Sequence, residues 1–482
     1  MRKFLSVVLG SAFLLAPALA LSACAGDNCD RASYNIVAEY FPEEHKLSAS
    51  MTVHAPNHTG NPLSQLKFEL YPNAFREGAK YKPVEKAYET AVYYKGESYG
   101  GIEITGVEGA KSFSVAGEDN NILCVETERE LYPDECTELK ISFEATLPEI
   151  NHRFGVGQNS VNLTGFYPVL CMPQESGFLE YPYAAYGDPF VSECADYTVA
   201  LTVPEGYTAV YGGKGEATAE NGKCTYHVEA ENVRETAFLL GKFGCVKGSA
   251  AGAEVEYYYL SDKNPQGTLQ AAEESLSYFS DTFGDYPYAR YVVAETDFPY
   301  GGMEYSGLSL ISTDLRENEV VPVVVHETAH QWWYSLVGSN QFEHAWQDEG
   351  LAEYSSALFF EAHPQYGITY RDFVGASEAS YRAFFSVYSQ VKGEADTRMS
   401  RPLTTFENGY EYRNIAYDKG VILFDRVRGV MGERRFFSSL KRYCSEYAGK
   451  VATPEEMIGC FERSGAKVEE LFASFTEGRC VI

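Results

Sequence analysis

Residues 323–333 read VVVHETAHQWW, and this run places His326 and His330 four positions apart. On an α-helix the residues i and i+4 lie on one face, so both imidazoles can reach a single metal ion. Because Pro322 precedes the run and Gly338 follows it, we expect a helix that begins near the proline and ends near the glycine. Two histidines on a helix surface are the simpler alternative, and the surrounding sequence has to decide between them.

A third ligand is offered by residues 346–354, WQDEGLAEY, which predict a second helix. Eighteen residues separate Glu349 from His330, and a carboxylate completes a His₂Glu set of the kind that holds catalytic Zn²⁺ with one open position. The rival ligands are Glu353, His344 and His363. Only Glu353 can share a helix face with Glu349, and we interpret it as a residue behind the metal site or on the helix surface. The prediction is one zinc ion per chain, held by His326, His330 and Glu349.

Glu327 directly follows the first histidine and would flank the metal. A carboxylate in this position can take a proton from an attacking water as general base and later deliver it to a leaving amine. The reaction class that these residues predict is hydrolysis of a peptide bond.

Composition and hydrophobic patterning indicate the fold class and the domain organisation. The 482 residues contain 39 Lys and Arg against 68 Asp and Glu, a net charge of −29, which disfavours nucleic acid as a partner. From about residue 34 to residue 245 the chain consists of short alternating runs with turn residues between them, which predicts a β-rich saddle or sandwich domain. Residues 246–482 carry helical spacing and predict a mainly helical catalytic domain with a small sheet at its start. The predicted class is α+β with several domains.

The first residues are typical of an exported protein. Arg2 and Lys3 precede an apolar run at 4–21, and we expect residues 1–23 to be a signal peptide. The sequence LSAC at 21–24 resembles the lipobox of bacterial lipoproteins, which predicts an acylated Cys24 and a lipidated tether at 24–33. Ordinary cleavage after Ala23 without acylation and an uncleaved membrane anchor are the alternatives. The expected location is extracytoplasmic, on the cell membrane, through the lipid anchor.

Ten further cysteines are compatible with an oxidising compartment. The near-neighbour candidates for disulfides are Cys124 with Cys136, Cys171 with Cys194, Cys224 with Cys245, and Cys444 with Cys460. Sequence alone does not fix their connectivity.

Three motifs in order resemble the M1 family of zinc aminopeptidases: GGMEY at 301–305, HExxH with the later Glu349, and YDKG at 417–420. The resemblance implies a thermolysin-like catalytic domain. It implies that Glu304 binds the free α-amino group of a peptide and that the backbone of Gly301, Gly302 and Met303 binds the substrate main chain. It also implies that Tyr417 donates a hydrogen bond to the developing oxyanion, with Tyr412 as the alternative tyrosine.

The sequence departs from the family pattern in three places. Tyr305 stands where the motif usually has asparagine, and no counterpart of the family's second amine-binding residue from the N-terminal domain is evident. The sequence ends at Ile482, just past residues 471–475, where many members continue, and we expect a form without their large helical C-terminal domain. The leading hypothesis is a zinc aminopeptidase acting on peptides with a free N-terminus; the sequence implies no obligate protein partner. A gluzincin endopeptidase and a catalytically inactive peptide-binding lipoprotein are the alternatives.

Overall fold

The computed structural model describes residues 30–175, 177–480 and 482. The predicted signal peptide, Cys24 and the tether up to residue 29 lie outside the described residues. The chain folds into a β-rich N-terminal half and a second half of helices on a small sheet, which confirms the α+β class. Within the described ranges, no helix is both long enough and apolar enough to cross a bilayer.

The N-terminal half contains three principal sheets and one short helix, Glu89–Val92. The seven-stranded sheet has the spatial order Lys214–Glu220, Lys223–Val233, Ala195–Pro204, Ala32–Phe41, Lys46–Pro56, Cys136–Thr146 and Gly101–Glu108. The first four-stranded sheet has the order Val169–Leu170, Leu63–Glu69, Ile122–Leu131 and Ala110–Ala116. The second has the order Thr208–Tyr211, Ala237–Gly241, Ser160–Thr164 and Phe154–Val156, and a small ribbon pairs Pro173–Gln174 with Gly177–Phe178.

Alternation of side chains explains why these segments are strands. In Lys46–Pro56 the odd-numbered residues from Leu47 to Ala55 are all buried, whereas those between them are more exposed. A period of two directs one set of side chains into the core between the sheets and the other set toward solvent. The strands expected at 47–53, 66–70 and 197–203 lie within or next to observed ones.

The second half is built on a five-stranded sheet with the order Gly244–Ala250, Ala253–Tyr259, Arg290–Thr296, Leu308–Ser312 and Gly302–Tyr305. The last of these is an antiparallel edge strand. The predicted domain boundary between residues 245 and 246 falls inside the first strand of this sheet and stays a prediction. The α-helices are Pro265–Phe283, Glu317–Ala329, Gln341–His344, Trp346–Ala362, Tyr370–Lys392, Gly409–Arg413, Lys419–Met431, Glu433–Tyr447, Pro454–Glu462 and Glu469–Thr476. A π-helical turn covers Asn414–Asp418, 3₁₀ turns cover Tyr71–Phe75, Pro364–Tyr366 and Leu403–Thr405, and a short ribbon pairs Gly338–Ser339 with Val451–Ala452.

The predicted ends of the histidine-bearing helix were wrong. The helix begins at Glu317, because Glu319 accepts a hydrogen bond from the backbone N–H of Arg316 at 2.9 Å and stabilises an extra turn before Pro322. The helix ends at Ala329, and Gly338 lies in a ribbon against the guanidinium of Arg234 instead. A Cβ at Gly338 would lie 2.6 Å from Nη1 of Arg234, so this glycine permits a contact between the two halves of the chain.

The cysteine candidates were not paired as the sequence suggested. Cys136 is disulfide-bonded, but Cys124 is a free thiol, so the proposed 124–136 bridge was wrong. The other six candidate cysteines are also free thiols. Several of them lie inside the core, where burial rather than bond formation fixes their position.

Two glycines allow the helices Trp346–Ala362 and Lys419–Met431 to cross closely next to the predicted ligand Glu349. A Cβ at Gly420 would lie 2.5 Å from Cα of Gly350, and a Cβ at Gly350 would lie 3.0 Å from Cα of Gly420. The neighbouring Lys419 is fully buried and donates hydrogen bonds to two backbone carbonyl oxygens at 2.6 and 2.8 Å. The glycine of the YDKG motif is therefore explained by close helix packing, and the lysine by its buried hydrogen bonds.

We predict that Gly420→Ala lowers the free energy of unfolding by about 1–3 kcal/mol, because the added methyl group overpacks the helix crossing. The matched control is Gly429→Ala on the same helix, where a Cβ meets no atom within 4 Å. This control should leave stability unchanged or raise it by up to about 1 kcal/mol through helix propensity. Urea unfolding of both variants measures the difference, and equal effects would contradict the packing explanation.

Candidate metal centre

Three buried side-chain atoms meet between the helices Glu317–Ala329 and Trp346–Ala362. Nε2 of His326 lies 3.0 Å from Nε2 of His330, and each nitrogen lies 3.3 Å from Oε2 of Glu349. Donors about 2.0–2.1 Å from a tetrahedral Zn²⁺ are themselves about 3.3–3.4 Å apart, so the three atoms fit such an ion. Oε2 of Glu349 is buried and accepts no hydrogen bond within the described residues, which leaves it available to a cation.

Each histidine is oriented through its other ring nitrogen. Nδ1 of His330 lies 2.7 Å from Oδ1 of Asp348 and 3.0 Å from the carbonyl oxygen of Trp333. Nδ1 of His326 lies 2.7 Å from Oε2 of Glu353. A carboxylate on the distal nitrogen fixes the tautomer and leaves Nε2 as the metal donor. Glu353 is therefore behind the site, as the sequence suggested, whereas the role of Asp348 was not foreseen.

The two other rival ligands lie away from this centre. Nδ1 of His363 lies 2.9 Å from the carbonyl oxygen of Phe359, and its ring stacks on the Phe359 ring at 4.1 Å. His344 is in the helix Gln341–His344. Neither histidine belongs to a group of metal-donor atoms in the part of the chain that the structure describes.

The charges around the three donor atoms favour a bound cation. Burial alone would lower the pKa of His326, but Glu349 and Glu353 raise it to about 10. Burial alone would raise the pKa of Glu349, but the two histidines hold it well below its usual range. The histidines thus supply positive charge that the surrounding carboxylates require, and a divalent ion can supply it in their place.

Glu327 packs directly against the edge strand Gly302–Tyr305. A Cβ at Gly302 would lie 2.5 Å from Cδ of Glu327, so only glycine leaves room for this carboxylate. Oε2 of Glu327 has no hydrogen-bond partner among the described residues, and burial raises the pKa of the group to about 7. A carboxyl group with a pKa near neutrality can both accept and return a proton.

Glu304 and Tyr305 are successive residues of the edge strand and point to opposite faces. Glu304 is only 3% exposed, and burial raises its pKa well above the usual range. Its carboxylate shares a cluster with Glu327 and His330, in which one donor atom of each lies within 4.8 Å of the others. Tyr305 packs into the apolar cluster between the two halves of the chain, so the unusual tyrosine faces away from the Glu304 side chain.

Both candidate tyrosines border the metal centre. Tyr417 lies in the π-helical turn Asn414–Asp418, and its ring stacks on His326 at 5.6 Å with an interplanar angle of 14°. The hydroxyl of Tyr412 donates a hydrogen bond to Oε1 of Glu349 at 3.4 Å. Single π-helical turns are frequent at functional sites because they change the direction of side chains along a helix.

A loop from the N-terminal half closes one side of the centre, and sequence reasoning assigned it no role. Gly187 has a φ of 73°, and a Cβ there would lie 3.0 Å from the hydroxyl oxygen of Tyr412. The next residue, Asp188, accepts a hydrogen bond from Nη1 of Arg153 at 2.6 Å, and both side chains are buried. The negative charge of Asp188 contributes to the raised pKa values of Glu304 and Glu327. Its only sequence signal was the turn composition of the GDP tripeptide.

Comparison with known proteins places this geometry in context. Residues 268–475 match the model of the peptidase family M1 domain. Aminopeptidase M1-B of Oryza sativa subsp. japonica is 29% identical over 259 residues, which are 50% of this chain and 29% of the relative. Leucine aminopeptidase 2 of Aspergillus fumigatus is 29% identical over 253 residues, which are 49% of this chain and 39% of the relative. The chain thus spans between 29% and 39% of the length of these two curated relatives.

Solved structures share the fold over nearly the whole chain. The M1 zinc metallopeptidase from Deinococcus radiodurans has a TM-score of 0.69 at 20% identity and covers 94% of this chain and 96% of its own. A mutant of that metallopeptidase bound to a Tyr-Ser-Ala substrate has a TM-score of 0.63 at 20% identity, with 94% and 95% covered. At this identity the likeness establishes the fold, and the arguments about individual residues rest on their geometry.

We predict that Glu353→Gln weakens zinc binding by about 10–100-fold, because Nδ1 of His326 loses its carboxylate partner. The matched control is Glu361→Gln on the same helix, whose carboxylate pairs with Arg428 at 2.8 Å and does not touch the donor set. Competition for zinc with a chromogenic chelator measures both affinities. If the two variants bind zinc equally well, Glu353 does not support the metal ligand.

Proposed function

We propose that the chain is a zinc-dependent aminopeptidase that removes N-terminal residues from peptides, because residues 268–475 match the model of the peptidase family M1 domain. The observation that carries this proposal is the convergence of His326, His330 and Glu349 on one point beside the buried Glu304. The aminopeptidase names of the curated relatives support the same conclusion.

The donor set accounts for the hydrolytic step. Zinc held by the two histidines and Glu349 would act as a Lewis acid on the scissile carbonyl and on the attacking water. Glu327 takes the proton of this water and passes it to the leaving amine, and its pKa of about 7 suits both transfers. The glycine at position 302 lets this carboxylate lie against the strand along which the peptide main chain would bind.

Buried negative charge accounts for selection of a free N-terminus. Glu304 is desolvated, and the carboxylates of Asp188 and Asp348 lie near enough to raise its pKa. A substrate ammonium would neutralise Glu304, whereas an acylated N-terminus would leave its charge without a positively charged partner. The backbone of Gly301, Gly302 and Met303 would bind the main chain of the first residues.

The decisive experiment compares aminoacyl substrates carrying a chromogenic amine with their N-acetylated equivalents, with and without chelator and zinc add-back. We expect cleavage only of the free-amine substrates, lost with chelator and restored by zinc. Equal cleavage of acetylated substrates would favour an endopeptidase, and no zinc-dependent cleavage of either would favour an inactive peptide-binding protein.

We predict that Glu327→Gln retains one zinc ion per chain but lowers kcat by at least about 10²-fold, because the amide cannot accept the proton. Metal analysis and steady-state kinetics on the same preparation separate the two properties. Turnover close to that of the unmodified protein would refute the general-base role.

We predict that Tyr417→Phe lowers kcat by about 10²-fold with little change in KM, because an oxyanion donor acts mainly in the transition state. The comparison variant is Tyr412→Phe, which removes the hydroxyl that donates to Glu349 and leaves the Tyr417 hydroxyl in place. If Tyr412→Phe causes the loss of kcat and Tyr417→Phe does not, Tyr412 is the oxyanion donor.

We also propose that the chain is exported and anchored to the membrane through lipid on Cys24. The basis is the apolar run at 4–21 followed by the LSAC sequence. Labelling of cells with a radioactive fatty acid should mark the wild-type protein and not Cys24→Ala. Equal labelling of both would refute acylation at this cysteine.

A further inference from the structure

The side chain of Gln341 lies between the residue predicted to bind the substrate amine and the residue that orients a metal ligand. Nε2 of Gln341 donates a hydrogen bond to Oε1 of Glu304 at 3.2 Å and another to Oδ2 of Asp348. An amide nitrogen has two N–H donors, so both are used by these two carboxylates. Gln341 is 2% exposed, and its Oε1 has no partner among the described residues.

Asp348 connects Gln341 to the metal centre. Its other oxygen, Oδ1, lies 2.7 Å from Nδ1 of His330, whose Nε2 belongs to the three-atom donor set. A continuous chain of buried contacts therefore runs from Glu304 through Gln341 and Asp348 to His330. Each contact in this chain lies in a low-dielectric interior, where hydrogen bonds to charged groups are strong.

The N-terminal half of the protein holds the segment that bears Gln341. The short helix Gln341–His344 begins after Asn340, whose Nδ2 donates a hydrogen bond to the hydroxyl of Tyr181 at 2.8 Å. On the other side of Gln341, the ring of Phe342 stacks on the ring of Tyr181 at 4.2 Å. Both neighbours of Gln341 are thus fixed to one tyrosine, which limits the directions that the amide can take.

From these contacts we propose that Gln341 is a positioning residue that links recognition of the substrate amine to the strength of metal binding. One N–H of the amide donates to Glu304, which would bind the substrate ammonium. The other donates to Asp348, which orients His330. Loss of the amide removes one buried donor from each of the two carboxylates at the same time. The expected effect on recognition of the substrate amine rests on the proposed function. The expected effect on metal binding concerns only the residues around the three donor atoms.

The variant Gln341→Met keeps the length of the side chain and removes both donors. The matched control is Gln347→Met, because Gln347 is equally buried and its Nε2 donates to the hydroxyl of Tyr443 at 2.8 Å and the carbonyl oxygen of Ala452 at 3.0 Å. We expect Gln341→Met to weaken zinc binding about tenfold and to raise KM for a free aminoacyl substrate about tenfold. Gln347→Met should change each quantity less than about twofold.

A double-mutant cycle separates this role from a general loss of packing. Glu304→Gln should raise KM much less in the Gln341→Met background than in the unmodified protein, because residues in direct contact are not additive. Asp348→Asn should likewise weaken zinc binding less in that background. Thermal melting monitors folding, and if Gln341→Met does not fold, Gln341→Leu replaces it, since leucine also lacks both N–H donors and adds no charge.

Equal zinc affinity and equal KM in Gln341→Met and Gln347→Met, or fully additive effects in both cycles, would overturn the proposal. Zinc affinity is measured without substrate. An inactive unmodified protein would therefore refute the proposed peptidase function, whereas only the zinc and cycle results decide the role of Gln341.

Discussion

Convergence of three buried donor atoms within 3.3 Å is the constraint on which the remaining structure depends. Two imidazoles and a carboxylate cannot be brought this close in the interior unless charge is supplied to them, by protons or by a metal ion. Asp348 and Glu353 orient the histidines, and a glycine pair lets the helix that carries Glu349 approach its neighbour. The packing of the second half thus serves to hold these three donor atoms together.

The N-terminal half takes part in the site as well as supporting it. Its loop at Gly187 approaches the Tyr412 hydroxyl, and Tyr181 fixes the segment that bears Gln341. Arg234 donates hydrogen bonds to the carbonyl oxygens of Tyr334, Ser192 and Lys450, which joins this half to the segment that follows the histidine helix. Arg234 lies 100 residues from Tyr334 and 216 residues from Lys450 in the sequence, so neither half sets the geometry of the centre alone.

The sequence allowed prediction of the features that depend on local periodicity. Histidines at i and i+4 on a helix share a face in any context, so His326 and His330 could be assigned directly. The helix ends were missed, because capping by Glu319 outweighed the proline signal and Gly338 serves a contact with Arg234. Gln341 had no local pattern and Asp188 had only that of a turn, since their significance comes from partners distant in sequence. Such partners become visible only when the chain is folded.

The most direct test of this account is X-ray absorption at the zinc edge of the zinc-loaded protein. We predict two imidazole nitrogens and oxygen donors, all at about 2.0–2.2 Å, with the imidazole signal reduced in His330→Ala. Eight thiols in the described residues are free and offer the protein another way to bind zinc. Sulfur neighbours at about 2.3 Å, or a spectrum unchanged by His330→Ala, would contradict the assignment of the metal to His326, His330 and Glu349.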